Sequence, residues 1–264
     1  MSRKKREPTA GDRIRMAVLL VALAVFLFSG FQLVKIFLEY KQGTDEYDKI
    51  RQYVAEDTED TGEEDSSQPE EEEKDKPVPP SVDWESLKSI NPDIIGWISI
   101  EGTEISYPVV QGTDNDYYLK HTFEGTQNAA GSIFIDYMNS KSLEDCNTVV
   151  YGHNMKNGSM FGLLRKYFQD QESVPGKYIW LCTPEKNWRY EIFSSHTVAA
   201  DGNVYTLFSA HDDQFQAYVE QMKAESLVDY GVAVSKEDRV ITLSTCTGDY
   251  STRFVVQARQ EGAY

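Results

Sequence analysis

Two runs near the C-terminus, RVITLSTC at 239–246 and TRFVVQAR at 252–259, decide how the rest of the chain is read. Both are rich in β-branched residues interleaved with polar ones, and only TGDYS at 247–251 separates them, so they predict two strands joined by a short turn. In the first run the alternation puts Ile241 and Leu243 on a core face and Ser244 with Cys246 on the other, where the thiol meets a cleft or solvent. In the second, Phe254 and Val256 share one face, and Arg253 shares the opposite one with Val255.

Working back from this pair, similar runs occur at 94–100, 105–110, 131–136, 148–152, 178–183 and 189–199, punctuated by Gly, Asn, Asp and Pro. Eight short strands predict a mainly β fold, an eight-stranded closed β-barrel occupying 83–264. Helical patterns are fewer and peripheral: 84–90, 160–168, 212–226, and a turn over 115–119.

The N-terminal third differs in kind. From Met16 to Val34 run nineteen uncharged residues rich in Leu, Val, Ala and Phe, a length of roughly 28 Å as helix, enough to cross a bilayer. Six basic residues precede it, from Arg3 to Arg15, against Glu7 and Asp12. Such a flank stays cytoplasmic, so the sequence predicts a basic cytoplasmic tail at 1–15, a single-pass signal anchor at 16–38, and the bulk of the chain outside the cell. A cleavable signal peptide would have a shorter apolar region ending at small residues, whereas here Phe31 to Ile36 follow without a break. Residues 39–82 read as an extracytoplasmic stalk followed by an acidic disordered linker. Twelve acidic residues and two lysines fall between Glu56 and Lys76, with Pro69, Pro77, Pro79 and Pro80 in or just after the run, and such a composition has little to bury. Tyr40, Tyr47, Ile50 and Tyr53 recur at loosely helical intervals, which extends the anchor helix beyond the membrane surface.

The formal charge of −17 argues against nucleic acid as a partner. Cys146, Cys182 and Cys246 are too few and too odd in number for a disulfide framework, and no close Cys/His pairs suggest zinc. Nothing in the sequence calls for a metal or another cofactor. A free thiol on an exported domain needs a base to activate it. His153 follows the apolar run TVVYG at 148–152 and so stands at a strand end, although position alone does not select it over His121, His196 or His211. Arg253, opening the last strand beside Cys246, could stabilise a thiolate or an oxyanion.

TLSTC at 242–246, RFVV at 253–256 and NTVVYGHNM at 147–155, in that structural order, resemble the sortases, cysteine transpeptidases of Gram-positive cell surfaces. NPDIIGWISI at 91–100, YPVVQGTDNDYYL at 107–119 and GSIFID at 131–136 extend the likeness over about 84–259, and the YYL segment and the helix before the seventh strand are most similar to class B. The resemblance implies a sortase-type barrel whose catalytic residues are His153, Cys246 and Arg253, and a groove lined by Asn115, Leu119, Tyr151, Ser244 and Tyr205. It further implies cleavage of a sorting signal of LPXTG or NPQTN type between Thr and Gly, a thioester at the cysteine, and transfer to an amine of a peptidoglycan precursor or a pilin. Thr247 stands where some class B chains carry Glu, and the Cys-to-Arg stretch is shorter than in many, so the signal preferred is not implied. Two other readings share these features: an exported papain-type cysteine hydrolase, whose cysteine would open a helix, and a non-catalytic surface module displayed on the stalk.

Overall fold

The computed structural model describes residues 9–55 and 77–264. The start of the basic tail and the acidic run at 56–76 lie outside them. Residues up to Gln42 and those from Gly43 onward form two compact units.

The first unit holds most of helix α1 (Ala10–Ile50), whose apolar side chains from Ile14 to Leu38 are all exposed. It is long and apolar enough to cross a membrane by length and composition. In the second unit the chain runs through β1 (Val54–Ala55), which pairs with β2 (Ser81–Val82), and then α2 (Trp84–Ile90). Eight longer elements follow: β3 (Ile94–Ile100), β4 (Ser106–Val110), β5 (Ile133–Ile135), β6 (Asn147–Tyr151), β7 (Tyr178–Cys182), β8 (Asn187–Ala199), β9 (Val240–Cys246) and β10 (Thr252–Ala263). They close a barrel in the order β10-β8-β7-β3-β4-β5-β6-β9. Two short helices lie between strands, α3 (Leu164–Phe168) and α4 (Asp213–Ala224).

The eight strands expected from the sequence all form. Local chemistry fixes several boundaries. Asp83 caps α2 by accepting from Ser86 N at 3.1 Å, and Asp212 caps α4 by accepting from Gln214 N and Phe215 N. α4 turns Phe215, Tyr218, Val219 and Met222 inward, the i, i+3, i+4, i+7 stripe of a helix lying on a sheet.

Two expectations are corrected. The stalk was placed at 39–82, yet Gly43 to Ala55 belong to the barrel unit, with Tyr47 and Ile50 3% and 1% exposed. Their aromatic and aliphatic faces find partners far along the chain, which local periodicity does not reveal. Secondly, Ser244 was expected on an open face of its strand. β9 is instead buried on both faces from Val240 to Thr245. Ile241 and Leu243 do point into the core, but α4 and the loop at 200–206 cover the other side, and only Cys246 emerges, half-buried.

Candidate active site

Register brings the three singled-out residues together. β6 and β9 are parallel neighbours with Tyr151 opposite Ser244, and Gly152 N donates to Ser244 O at 3.1 Å, carrying the ladder past the strand end. Two residues further on each strand come His153 and Cys246, so both lie at one level on one face. β10 pairs on the other side of β9 and sets Arg253 directly opposite Cys246. Asn154 Nδ2 donates to Cys246 O at 2.7 Å and ties the two strand ends together. Imidazole, thiol and guanidinium therefore come from three adjacent strands, in that order.

They open on one cleft of about 260 Å³, lined by Asn115, Leu119, Tyr151, Tyr205 and Ser244 among others. All eight residues singled out from the sequence border this space. Phe134, Gly152, Ala200 and Thr245 complete the lining and were not foreseen. Phe134 was detectable as the middle of the apolar GSIFID run, but nothing in its spacing distinguished a groove residue from a core one.

Each side chain has a definite setting. His153 Nε2 lies 2.7 Å from the carbonyl of Leu119; since a carbonyl only accepts, Nε2 carries the proton and Nδ1 remains for exchange. Arg253 donates through one guanidinium nitrogen to Tyr250 O at 3.0 Å and Thr252 O at 2.8 Å, and no carboxylate pairs with it among the described residues. The hydroxyls of Tyr205 and Ser244 are 2.9 Å apart. Tyr151 donates to Asp136 Oδ2 at 3.0 Å, and Asn115 Nδ2 donates to the same oxygen at 2.8 Å while its Oδ1 accepts from Tyr137 N. Asn115 thus borders the groove with its amide committed to the wall. Burial, reinforced by the neighbouring Asp136 carboxylate, raises the Tyr151 phenol far above its ordinary value, so it stays a neutral donor.

The remaining candidates are accounted for. Cys146 and Cys182 are buried; burial raises both thiols, that of Cys182 to about 12. His121 stacks on Tyr117, His196 is buried beneath α4 beside Ser194, and His211 contacts Lys236 O. Only Cys246 and His153, of three thiols and four imidazoles, face the groove.

Comparison with known proteins decides the family. A sortase-domain model matches residues 98–261. The chain belongs to the sortase family. It is 35% identical over 243 residues to sortase B of Listeria monocytogenes, spanning 91% of this chain and 94% of that one. The structure of Clostridium perfringens sortase B matches with a TM-score of 0.63 at 38% identity, over 67% of this chain and 99% of that one. A Staphylococcus aureus sortase B–substrate complex matches with a TM-score of 0.62 at 34% identity, over 67% and 83%. This sortase is of class B, a cysteine transpeptidase of cell-wall sorting.

Proposed function

We propose that this sortase cleaves a C-terminal sorting signal of LPXTG or NPQTN type between Thr and Gly and passes the acyl part to an amine of a peptidoglycan precursor or a pilin. The observation that carries the reading is the row His153, Cys246, Arg253 across three neighbouring strands, opening on one cleft. The Cys246 thiol passes its proton to His153 Nδ1 as Sγ attacks the threonyl carbonyl carbon; the C–N bond breaks, and Nδ1 hands that proton to the departing glycyl nitrogen. A thioester is left on Sγ. The incoming amine attacks it, surrenders a proton to Nδ1, forms the new amide, and releases Sγ, which takes that proton back from Nδ1. Arg253, fixed by two carbonyls of its own hairpin and, among the described residues, free of a carboxylate, holds the oxyanion or the backbone of the signal. Leu119, Tyr151, Ser244, Tyr205 and the Asn115 wall line the groove that takes the signal, and their place around one cleft with Cys246 supports that reading.

The apolar part of α1 serves as a single-pass anchor, with the basic N-terminus cytoplasmic and the barrel extracellular.

The test incubates the full chain in detergent micelles with LPXTG- and NPQTN-type pentapeptides, with and without triglycine, and reads products by mass. One peptide is expected to be cut after Thr and joined to triglycine, and Cys246→Ala should lose turnover by at least about 10³-fold. Hydrolysis without transfer at saturating amine, or cleavage surviving in Cys246→Ala, would overturn the reading.

A further inference from the structure

The C-terminal end of α1, in the segment that the sequence assigned to the stalk, bears on His153 from outside the groove. The His153 imidazole is held along its Nε2–Cδ2 edge by the loop between β4 and β5. Leu119 O meets Nε2, and Gly131 packs so closely that a Cβ there would stand 3.0 Å from His153 Cδ2, 2.6 Å from Tyr118 O and 3.0 Å from Leu119 O. Gly131 has a φ of +55°, a second reason for glycine. This loop is therefore the ring's backing plate, and its exact placement sets where Nδ1 points.

What holds the plate is the C-terminal end of α1. The Tyr47 hydroxyl donates to Gly131 O at 2.6 Å and accepts from Phe123 N at 3.2 Å, joining the two arms of the loop across a buried phenol. Beside it, Glu46 Oε1 accepts from Glu124 N at 3.0 Å. Gly43 lies against Asn128 and Ala130 closely enough that a Cβ would meet them at 3.1 and 3.3 Å. The Tyr47 ring is itself fixed edge-on to Tyr107, and Tyr107 Oη accepts from Met160 N in the loop that follows His153. One residue of α1 thus bonds the backing plate and packs on the aromatic that holds Met160 N in the loop after His153.

We propose that Tyr47 is a positioning residue for the transpeptidation, setting the imidazole of His153 through the carbonyl of Gly131. The proposal rests on the reading of His153 as the proton carrier. Tyr47 touches neither substrate nor thiol. It acts by keeping Gly131 and Leu119 where Nε2 finds its acceptor, so that one tautomer and one ring orientation prevail.

The experiment compares the full chain in micelles as wild type, Tyr47→Phe and Ile50→Val, the last a trimming of a fully buried neighbour on the same helix. Imidazole ¹⁵N spectra, assigned by His153→Ala, need no substrate. Wild type should show the His153 ring as a single Nε2–H tautomer. Tyr47→Phe should give an averaged signal, with kcat for the pentapeptide lowered about tenfold and KM within about twofold. Ile50→Val should lower the melting temperature while leaving the His153 signal and kcat as in wild type. A Tyr47→Phe protein that melts earlier but keeps both kcat and the single-tautomer signal would overturn the proposal. If no peptide is cut by wild type, the mechanism proposed above fails while the spectra still decide the role of Tyr47. Should Tyr47→Phe not fold, 3-fluorotyrosine at position 47 keeps the hydroxyl and alters only its donor strength. The His153 signal is then expected to shift, and an unmoved signal overturns the proposal.

Discussion

The two walls of the groove are braced in opposite ways. The wall at 115–132, which backs His153, is tied to the end of α1 by Tyr47, bonded to Gly131 O and Phe123 N, and by Glu46, which accepts from Glu124 N, residues that precede the barrel strands. The wall at 200–206, which carries Tyr205, rests on a connected network of amides and hydroxyls on the barrel's own surface beneath α4, in which Gln257 Oε1 alone is left unpaired among the described residues. Asn147 Nδ2 donates to Val204 O, Thr206 O and the Tyr218 hydroxyl; Tyr218 donates to Val204 O; Thr242 Oγ1 donates to Asn147 Oδ1; and Gln257 Nε2 donates to both Tyr218 and Thr242. The first brace can fail one bond at a time. The second fails as a unit, because each buried member satisfies another.

Asn147→Ala should therefore have the largest effect. It takes the acceptor from the buried Thr242 hydroxyl and a donor from the partly buried Thr206 carbonyl, at a cost of roughly 2–4 kcal/mol in unfolding free energy. Amide exchange should quicken over 200–206 and remain as in wild type over 118–132. Equal quickening in both would show that the walls are one unit. Combined with Tyr47→Phe, the two losses should add within about 0.5 kcal/mol, since the pair shares no partner.

The sequence showed these walls unequally, for physical reasons that individual residues make plain. α2 and β3 form at the bounds expected because their signals are local: Asp83 before a helical run, and Ile94 to Ile100 between turn residues. The row of Cys246 and Arg253 was legible because a short hairpin sets its own register. His153 was harder. Its place beside Cys246 depends on the parallel pairing of β6 with β9, whose partners are more than ninety positions apart and carry no mark in either strand. Tyr47 was noticed only as part of a helical spacing, since the carbonyl it meets lies 84 positions downstream. Asn147 lies one residue before the run read as a strand at 148–152, and its burial follows from a loop and a helix that arrive later.

A smaller effect tests how the second wall is fastened to the groove floor. Tyr205→Phe keeps the ring near Tyr151 but strips the 2.9 Å partner from a Ser244 hydroxyl that is 2% exposed. The expected loss is about 1–2 kcal/mol, most of it the cost of the unpartnered Ser244. Adding Ser244→Ala should recover part of that loss, giving a coupling of about 0.5–1.5 kcal/mol in a double-mutant cycle. Strictly additive losses would mean the hydroxyl pair contributes nothing.

The smallest effect belongs to the first wall and depends on pH. Desolvation raises the Glu46 carboxyl above its ordinary value of about 4.5, outweighing the bond it accepts from Glu124 N. A carboxyl whose folded pKa is raised binds its proton more tightly when folded. Its contribution to stability is fully present below the unfolded value and is lost as pH rises through the folded one. Glu46→Gln keeps an oxygen for Glu124 N and cannot ionise. Its melting temperature should match wild type near pH 4 and exceed it by on the order of 1–3 °C at pH 7. A gap that stays constant across this range, or one that opens on the acid side, would show that Glu46 is held as a stabilised carboxylate, and the α1 brace would then be electrostatic like a helix cap instead of a set of neutral bonds.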